Sequence, residues 1–223
     1  MKYVALVAAK GTSERVKNKN IRPFGDTNLV ELKLNQLKKV SGLDRIIVSS
    51  EDRRILELAK SMDVDIHIRD PKYSTNSVPM SSVYSYLASE ISGDVIVWIQ
   101  VNNPLIQPSS YEDAIYVHKN LSNEYNCLLS VSKINKYLFY KGNPINFTIN
   151  PWMKSQDLKD LCELNFGICI LKREDMKQWG SLVGTKPYFF CGNAEEFTDI
   201  DDLTAFDFCE MIYNKNKNKV LGI

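Results

Sequence analysis

Residues 1–20, MKYVALVAAKGTSERVKNKN, decide the fold. Tyr3–Ala9 is a continuous apolar run of strand length, which predicts a strand covered on both faces. It ends abruptly in a polar segment where Lys10, Arg15, Lys17 and Lys19 are interleaved with Gly11, Thr12, Ser13, Asn18 and Asn20. Positive charge directly after a buried strand belongs to a ligand site if the strand lies in an open α/β sheet, because ligands there sit beyond the C-terminal strand ends. Gly11 lets the backbone approach an anion, Thr12 and Ser13 offer donors, and the basic side chains neutralise a polyphosphate. The segment is not GxxxxGK[ST], which argues against a P-loop kinase or ATPase, nor is it GxGxxG, and no acidic residue closes a second strand as a dinucleotide fold requires.

The rest of the chain supplies the sheet. Short apolar strands are predicted at Arg45–Ser49, Asp65–Arg69, Asp94–Gln100, Cys127–Val131 and Gly167–Leu171. Helices are predicted at 28–40, 52–61, 81–90, 108–119 and 202–213, with Ser109 or Ser110 as N-cap of the fourth. This alternation implies an α/β fold with a mainly parallel sheet flanked by helices. Between Lys133 and 160, aromatic and polar residues alternate and Gly142, Pro144 and Pro151 interrupt. That stretch reads as a small hairpin insertion, dividing an α/β domain at 1–132 and 161–223. The NKNKNK tail at 214–219 reads as a frayed helix end.

Composition narrows the function. The 223 residues carry a net charge of +1, which argues against nucleic-acid and membrane-surface binding. No stretch nears the roughly 18 apolar residues of a membrane span. The N-terminus lacks a signal-peptide pattern, and the five cysteines are scattered without a CxxC pair, which suits reduced thiols in a cytoplasmic protein. Two histidines leave little room for His-based catalysis.

Further candidates fall at strand ends. Arg69 can read a base or a phosphate, or be a surface charge. Gln100, Asn102 and Asn103 can bond a polar ligand or shape the turn before Pro104. Asp199 and Asp201, two apart in an extended segment, project to one side as a divalent cation needs, while Asp201 or Asp202 can cap the last helix. Asn165 and Gly167 stand at the mouth of a late strand, where Gly167 can equally serve packing.

These motifs together resemble the CMP-sialic acid synthetases, the acylneuraminate cytidylyltransferases. AAKGTSERVKNKN (8–20) is similar to that family's Ala-Arg-Gly-Gly-Ser-Lys-Arg-Ile-Pro-x-Lys-Asn. DRIIVSSEDRRILELAK (44–60), IRDP (68–71), IQVNNPL (99–105), SQDL (155–158), NFG (165–167) and TDIDDL (198–203) follow in the family's order. The resemblance implies a Rossmann-like nucleotidyltransferase fold, a homodimer joined through the hairpin insertion, CTP and Mg²⁺, and CMP transfer to a small acidic acceptor with release of pyrophosphate. It places Ala9, Lys10, Gly11, Ser13, Arg15, Lys19, Asn20 and Arg69 on the nucleotide. Gln100, Asn102, Asn103, Gln156, Asn165 and Gly167 fall to the acceptor, and Asp199 and Asp201 to the metal. Lys10, Lys19 and Asp201 would carry the catalysis. Departures cluster on the acceptor side: Asn102 and Asn103 replace Thr and Ser, Ile106 replaces Arg, and Ser155 replaces the Arg before Gln-Asp. Lys10 stands in place of Arg and Lys17 in place of Pro. A nonulosonic or related keto-sugar acid is the expected acceptor, with a phosphonate or phosphorylated small molecule, or a degenerate nucleotide-binding homologue, as alternatives.

Overall fold

The computed structural model describes residues 1–13 and 15–223. In chain order the elements are β1 (Tyr3–Ala8), β2 (Pro23–Phe24), β3 (Thr27–Asn28), α1 (Leu29–Leu37), β4 (Arg45–Ser50), α2 (Arg53–Ser61), β5 (Asp65–Ile68), α3 (Met80–Glu90), β6 (Val95–Ile99), α4 (Pro108–Lys119), β7 (Cys127–Lys133), β8 (Phe139–Tyr140), β9 (Asn143–Pro144), β10 (Cys162–Lys172), α5 (Arg173–Trp179), β11 (Pro187–Cys191) and α6 (Leu203–Leu221). Seven strands form one sheet in the order β11-β7-β10-β6-β1-β4-β5. β1, β4, β5 and β6 run parallel, with Leu6 opposite Ile47 and Trp98.

Alternation along β1 explains why its apolar run is unbroken. Tyr3, Ala5 and Val7 face a core built with α1, α2, α4 and α6. Val4 and Leu6 face a second core with α3 and α5. A strand covered on both sides has no polar face to show.

The sheet is mixed as well as mainly parallel. β10 runs antiparallel to both β6 and β7. The cause is local: Lys133 pairs with Cys162, so the intervening excursion starts and ends at the same sheet end, as in a hairpin. Within the excursion β8 pairs with β9, and Tyr137, Phe139, Phe147 and Trp152 pack ring on ring.

Two expectations need correction. The fourth helix is not capped by Ser109 or Ser110; Gln107 is the N-cap residue, Pro108 opens the helix, and the Ser110 hydroxyl donates to Glu196. Proline suits that first position because its missing N–H would lack a helical partner anyway. The tail is not frayed: α6 continues to Leu221 across a kink at Asn216, and Val220 is buried. Lys39, just beyond α1, and Gln36 of α1 donate to the carbonyls of Leu221 and Val220, satisfying a helix end that would otherwise be bare.

Candidate active site

The strand order reverses at β1. The chain builds β4 and β5 on one side of it, then places β6 on the other. The loops leaving β1 and β6 therefore diverge at the switch point, and a crevice opens between them. A cavity of about 560 Å³ lies there, lined by Lys10, Ser13, Arg15, Lys19, Asn20, Arg69, Gln100 and Asn102 among others.

The loop after β1 is held at several points. Asn20 is buried and donates from its side chain to the Lys10 carbonyl, closing the loop on itself. The Lys10 ammonium reaches across the cavity to Asn76 Oδ1 at 2.8 Å. Lys19 Nζ donates to the Ile200 carbonyl at 2.5 Å, between the two aspartates of the late segment. Burial lowers its pKa, while the charges of Asp199 and Asp201 oppose that fall.

Asp199 and Asp201 flank the buried Ile200. Burial and then the charge of Asp201 push the Asp199 carboxyl up to about 6, with Lys19 and Arg15 pulling the other way. Asn102 fixes this segment twice: its carbonyl accepts from Ile200 N–H, and its side-chain amide donates to Asp199. Asp201 pairs with Arg15 at 2.7 Å. Asp202, not Asp201, caps α6 by accepting from Ala205 N–H. Among the described residues no group of three or more His, Cys, Asp or Glu side chains converges.

Arg69 closes the floor. Its guanidinium is buried and donates to the Ser49 hydroxyl and carbonyl. His67 shares that hydroxyl, and His118 bonds the Tyr3 phenol; burial lowers both imidazole pKa values, His118 to about 4. Neither histidine lines the cavity.

The opposite wall is apolar and aromatic: Tyr73, Val78, Met80, Val83, Tyr84 and Trp98. Tyr73 stacks on Tyr86 at 3.9 Å, and Tyr84 meets Trp98 edge to face at 5.1 Å. Sequence reasoning missed this wall. Its one signal was the aromatic density after Arg69, which is equally that of a core.

Other expected site residues lie off the cavity. Ala9 is buried at the strand end, its N–H bonded to the Ser49 carbonyl. Gly11 does not present its backbone to an anion, because its N–H donates to Glu51 Oε1 at 2.8 Å and a Cβ there would lie 2.2 Å from Asp52 Oδ2. Asn103 is fully buried and donates toward the Phe197 carbonyl. Asn165 staples a bulge in β10, accepting from Ser130 and donating to Ser132. Gly167 serves packing, since a Cβ would meet Phe197 and Ile106 at 2.7 and 2.8 Å. Gln156 is exposed on a 3₁₀ turn of the excursion, outside the cavity lining.

A cationic loop, a buried arginine and an aromatic wall sharing one switch-point cavity suit a nucleotide. A family model described as cytidylyltransferase matches residues 4–178. The chain belongs to the cytidylyltransferase family. It is thus a nucleotidyltransferase, with the matched region running from β1 to the end of α5 and the acidic pair lying beyond it. The uncharacterized protein MJ1063 of Methanocaldococcus jannaschii is 37% identical over 110 residues, 47% of this chain and 42% of its own length. This match spans less than half of that protein. The 3-deoxy-manno-octulosonate cytidylyltransferase of Trichlorobacter lovleyi is 24% identical over 213 residues, covering 83% of this chain and 81% of its own. A solved CMP:2-keto-3-deoxy-manno-octonic acid synthetase complexed with CTP superposes with a TM-score of 0.70 at 11% identity, over 97% of this chain and 100% of that one. No helix among the described residues is long and apolar enough to cross a membrane.

Proposed function

We propose that this cytidylyltransferase moves CMP from CTP to a keto-sugar acid, releasing pyrophosphate. The observation that carries the reading is the seat of Lys19. Its ammonium belongs to the basic loop yet sits on Ile200 between Asp199 and Asp201, so the polyphosphate cradle and the acidic pair meet in one place. Lys10, Ser13, Arg15 and Lys19 hold the triphosphate, and Arg69 with the aromatic wall receives the nucleobase. Gln100 faces the acceptor across the cavity. The acceptor oxygen displaces pyrophosphate at the α-phosphorus, and catalysis consists of positioning and charge neutralisation by the two lysines. The octulosonate and octonic acid enzymes it resembles at 24% and 11% identity support the sugar-acid acceptor.

Mg²⁺ fits the donor set. The pair offers hard carboxylate oxygens, and the raised Asp199 carboxyl marks a place where negative charge is costly without a nearby cation. Mg²⁺ commonly takes one or two protein carboxylates and completes its shell with phosphate and water. Asp199 and Asp201 would hold it, and it would stabilise charge on the phosphates.

One observation favours a second acceptor class. Asn103, Asn165, Gly167 and Gln156 do not line the cavity, so most of the residues expected to read a sugar acid lie off it. A phosphonate or phosphorylated small molecule is the alternative. A pyrophosphate-release screen of the four nucleoside triphosphates against sugar acids and phosphonates separates them. The expected result is turnover with CTP and a sugar acid. Turnover only with a phosphonate would select the alternative, and no CTP-dependent release would sink both.

The excursion supports a homodimer. Phe139, Tyr140, Ile149 and Trp152 are 56%, 64%, 56% and 61% exposed, four large apolar side chains left open to water on one short excursion. Light scattering should give the mass of two chains, falling to one in a Tyr140→Asp/Ile149→Asp double variant. A wild-type monomer would end this assignment.

A further inference from the structure

Beside the Lys10–Asn76 bond, the basic loop and the turn that faces it are tied together by a side chain that belongs to neither and does not line the cavity. Glu51 lies in the bend between β4 and α2. Its Oε1 accepts from Gly11 N–H at 2.8 Å and its Oε2 accepts from the Ser74 hydroxyl at 2.7 Å. Gly11 neighbours Lys10 and Thr12 on the cationic side. Ser74 stands between Tyr73 and Thr75 on the far side, in a turn that directly follows Arg69 and Asp70.

The bend is itself held by local hydrogen bonds. Ser50 Oγ accepts from Asp52 N–H at 3.0 Å, and Asp52 caps α2 by accepting from Arg54 N–H at 2.8 Å. Asp52 also occupies the space a Cβ at position 11 would need. Glycine there is what lets the loop backbone come close enough to reach Glu51. Gly11 and Glu51 are therefore matched: one grants the approach, the other uses it.

We infer that Glu51 is a positioning residue, a two-armed hydrogen-bonded brace that sets the spacing between the phosphate-holding loop and the wall opposite it. The inference rests on the reading that this cavity takes CTP. Both arms are accepted hydrogen bonds, so the function lies in acceptor geometry. A carboxylate acting through its charge alone would oppose a triphosphate. A glutamine keeps an acceptor for Gly11 and can donate to the Ser74 hydroxyl. An alanine keeps neither.

The test measures CTP binding by isothermal titration calorimetry in Mg²⁺ buffer, with circular dichroism and thermal unfolding as controls. Glu51→Ala should weaken CTP about tenfold, the scale of losing a pair of hydrogen bonds. Glu51→Gln should stay within about threefold of wild type, and Ser74→Ala should weaken CTP about threefold. The double variant Glu51→Ala/Ser74→Ala should be no weaker than Glu51→Ala, because one arm cannot be lost twice. Gln binding as poorly as Ala overturns the brace, since charge rather than geometry would then matter. So does undiminished CTP binding in Glu51→Ala while Lys19→Ala is weakened. If Glu51→Ala does not fold, Ser74→Ala decides, and unchanged affinity there overturns the inference. A wild-type chain that binds no CTP overturns the nucleotide reading and this inference with it.

Discussion

Asp201→Asn is expected to lower CMP transfer by at least ~10²–10³-fold, the scale of removing one preorganised charged group from a reacting phosphate site. The fold should survive. The side chain is 55% exposed and its partner Arg15 is 68% exposed, and ion pairs of that kind contribute only about 0–1 kcal/mol. Asp202 performs the capping of α6, so the helix keeps its N-terminal partner. Stability and activity therefore separate at this position. Asn keeps the shape and one oxygen but loses the charge, which is what a divalent cation and the neighbouring Lys19 respond to. The assay is steady-state pyrophosphate release with CTP and the acceptor found in the screen, paired with thermal unfolding. A variant with near-wild-type turnover would remove the acidic pair from the chemistry.

The architecture was legible because burial leaves a pattern that does not depend on distant residues. YVALVAA and VIVWI (95–99) are apolar without interruption, so they had to be strands covered on both faces, and their C-terminal ends mark the crevice. The basic loop was legible for the same reason, since its place follows from the strand before it. The acceptor side was not. An amide in a turn can bond a ligand or the chain, and Asn103 bonds carbonyls 94 and 95 residues away, a partner that adjacent sequence does not reveal. Asn165 likewise serves a bulge that exists only because β10 changes register against β7. Glu51 was hidden in SSEDRR, where a charge before a helix reads as solvated surface. NKNKNK looked frayed by composition, but α6 runs past it to Leu221, where Gln36 of α1 and Lys39 just after that helix bond the Val220 and Leu221 carbonyls.

Lys19→Ala should raise the KM for CTP by roughly 10- to 100-fold, the range for losing a hydrogen bond between charged groups. The structure adds a second consequence. Lys19 is one of the groups that hold the Asp199 carboxyl down, against burial and against Asp201. Removing the ammonium moves that carboxyl further above about 6, its value with Lys19 present. Asp199 must be ionised to serve a cation, so its contribution is present above its pKa and lost as pH falls through it. The acid limb of the activity profile should therefore lie higher in the variant than in the wild type. The two readouts are independent. A raised KM with an unmoved acid limb would keep Lys19 on the triphosphate but separate it from Asp199. An unchanged KM would take it off the nucleotide altogether. A raised KM with a shifted limb is the outcome expected of one ammonium that serves the phosphates on one side and the acidic pair on the other.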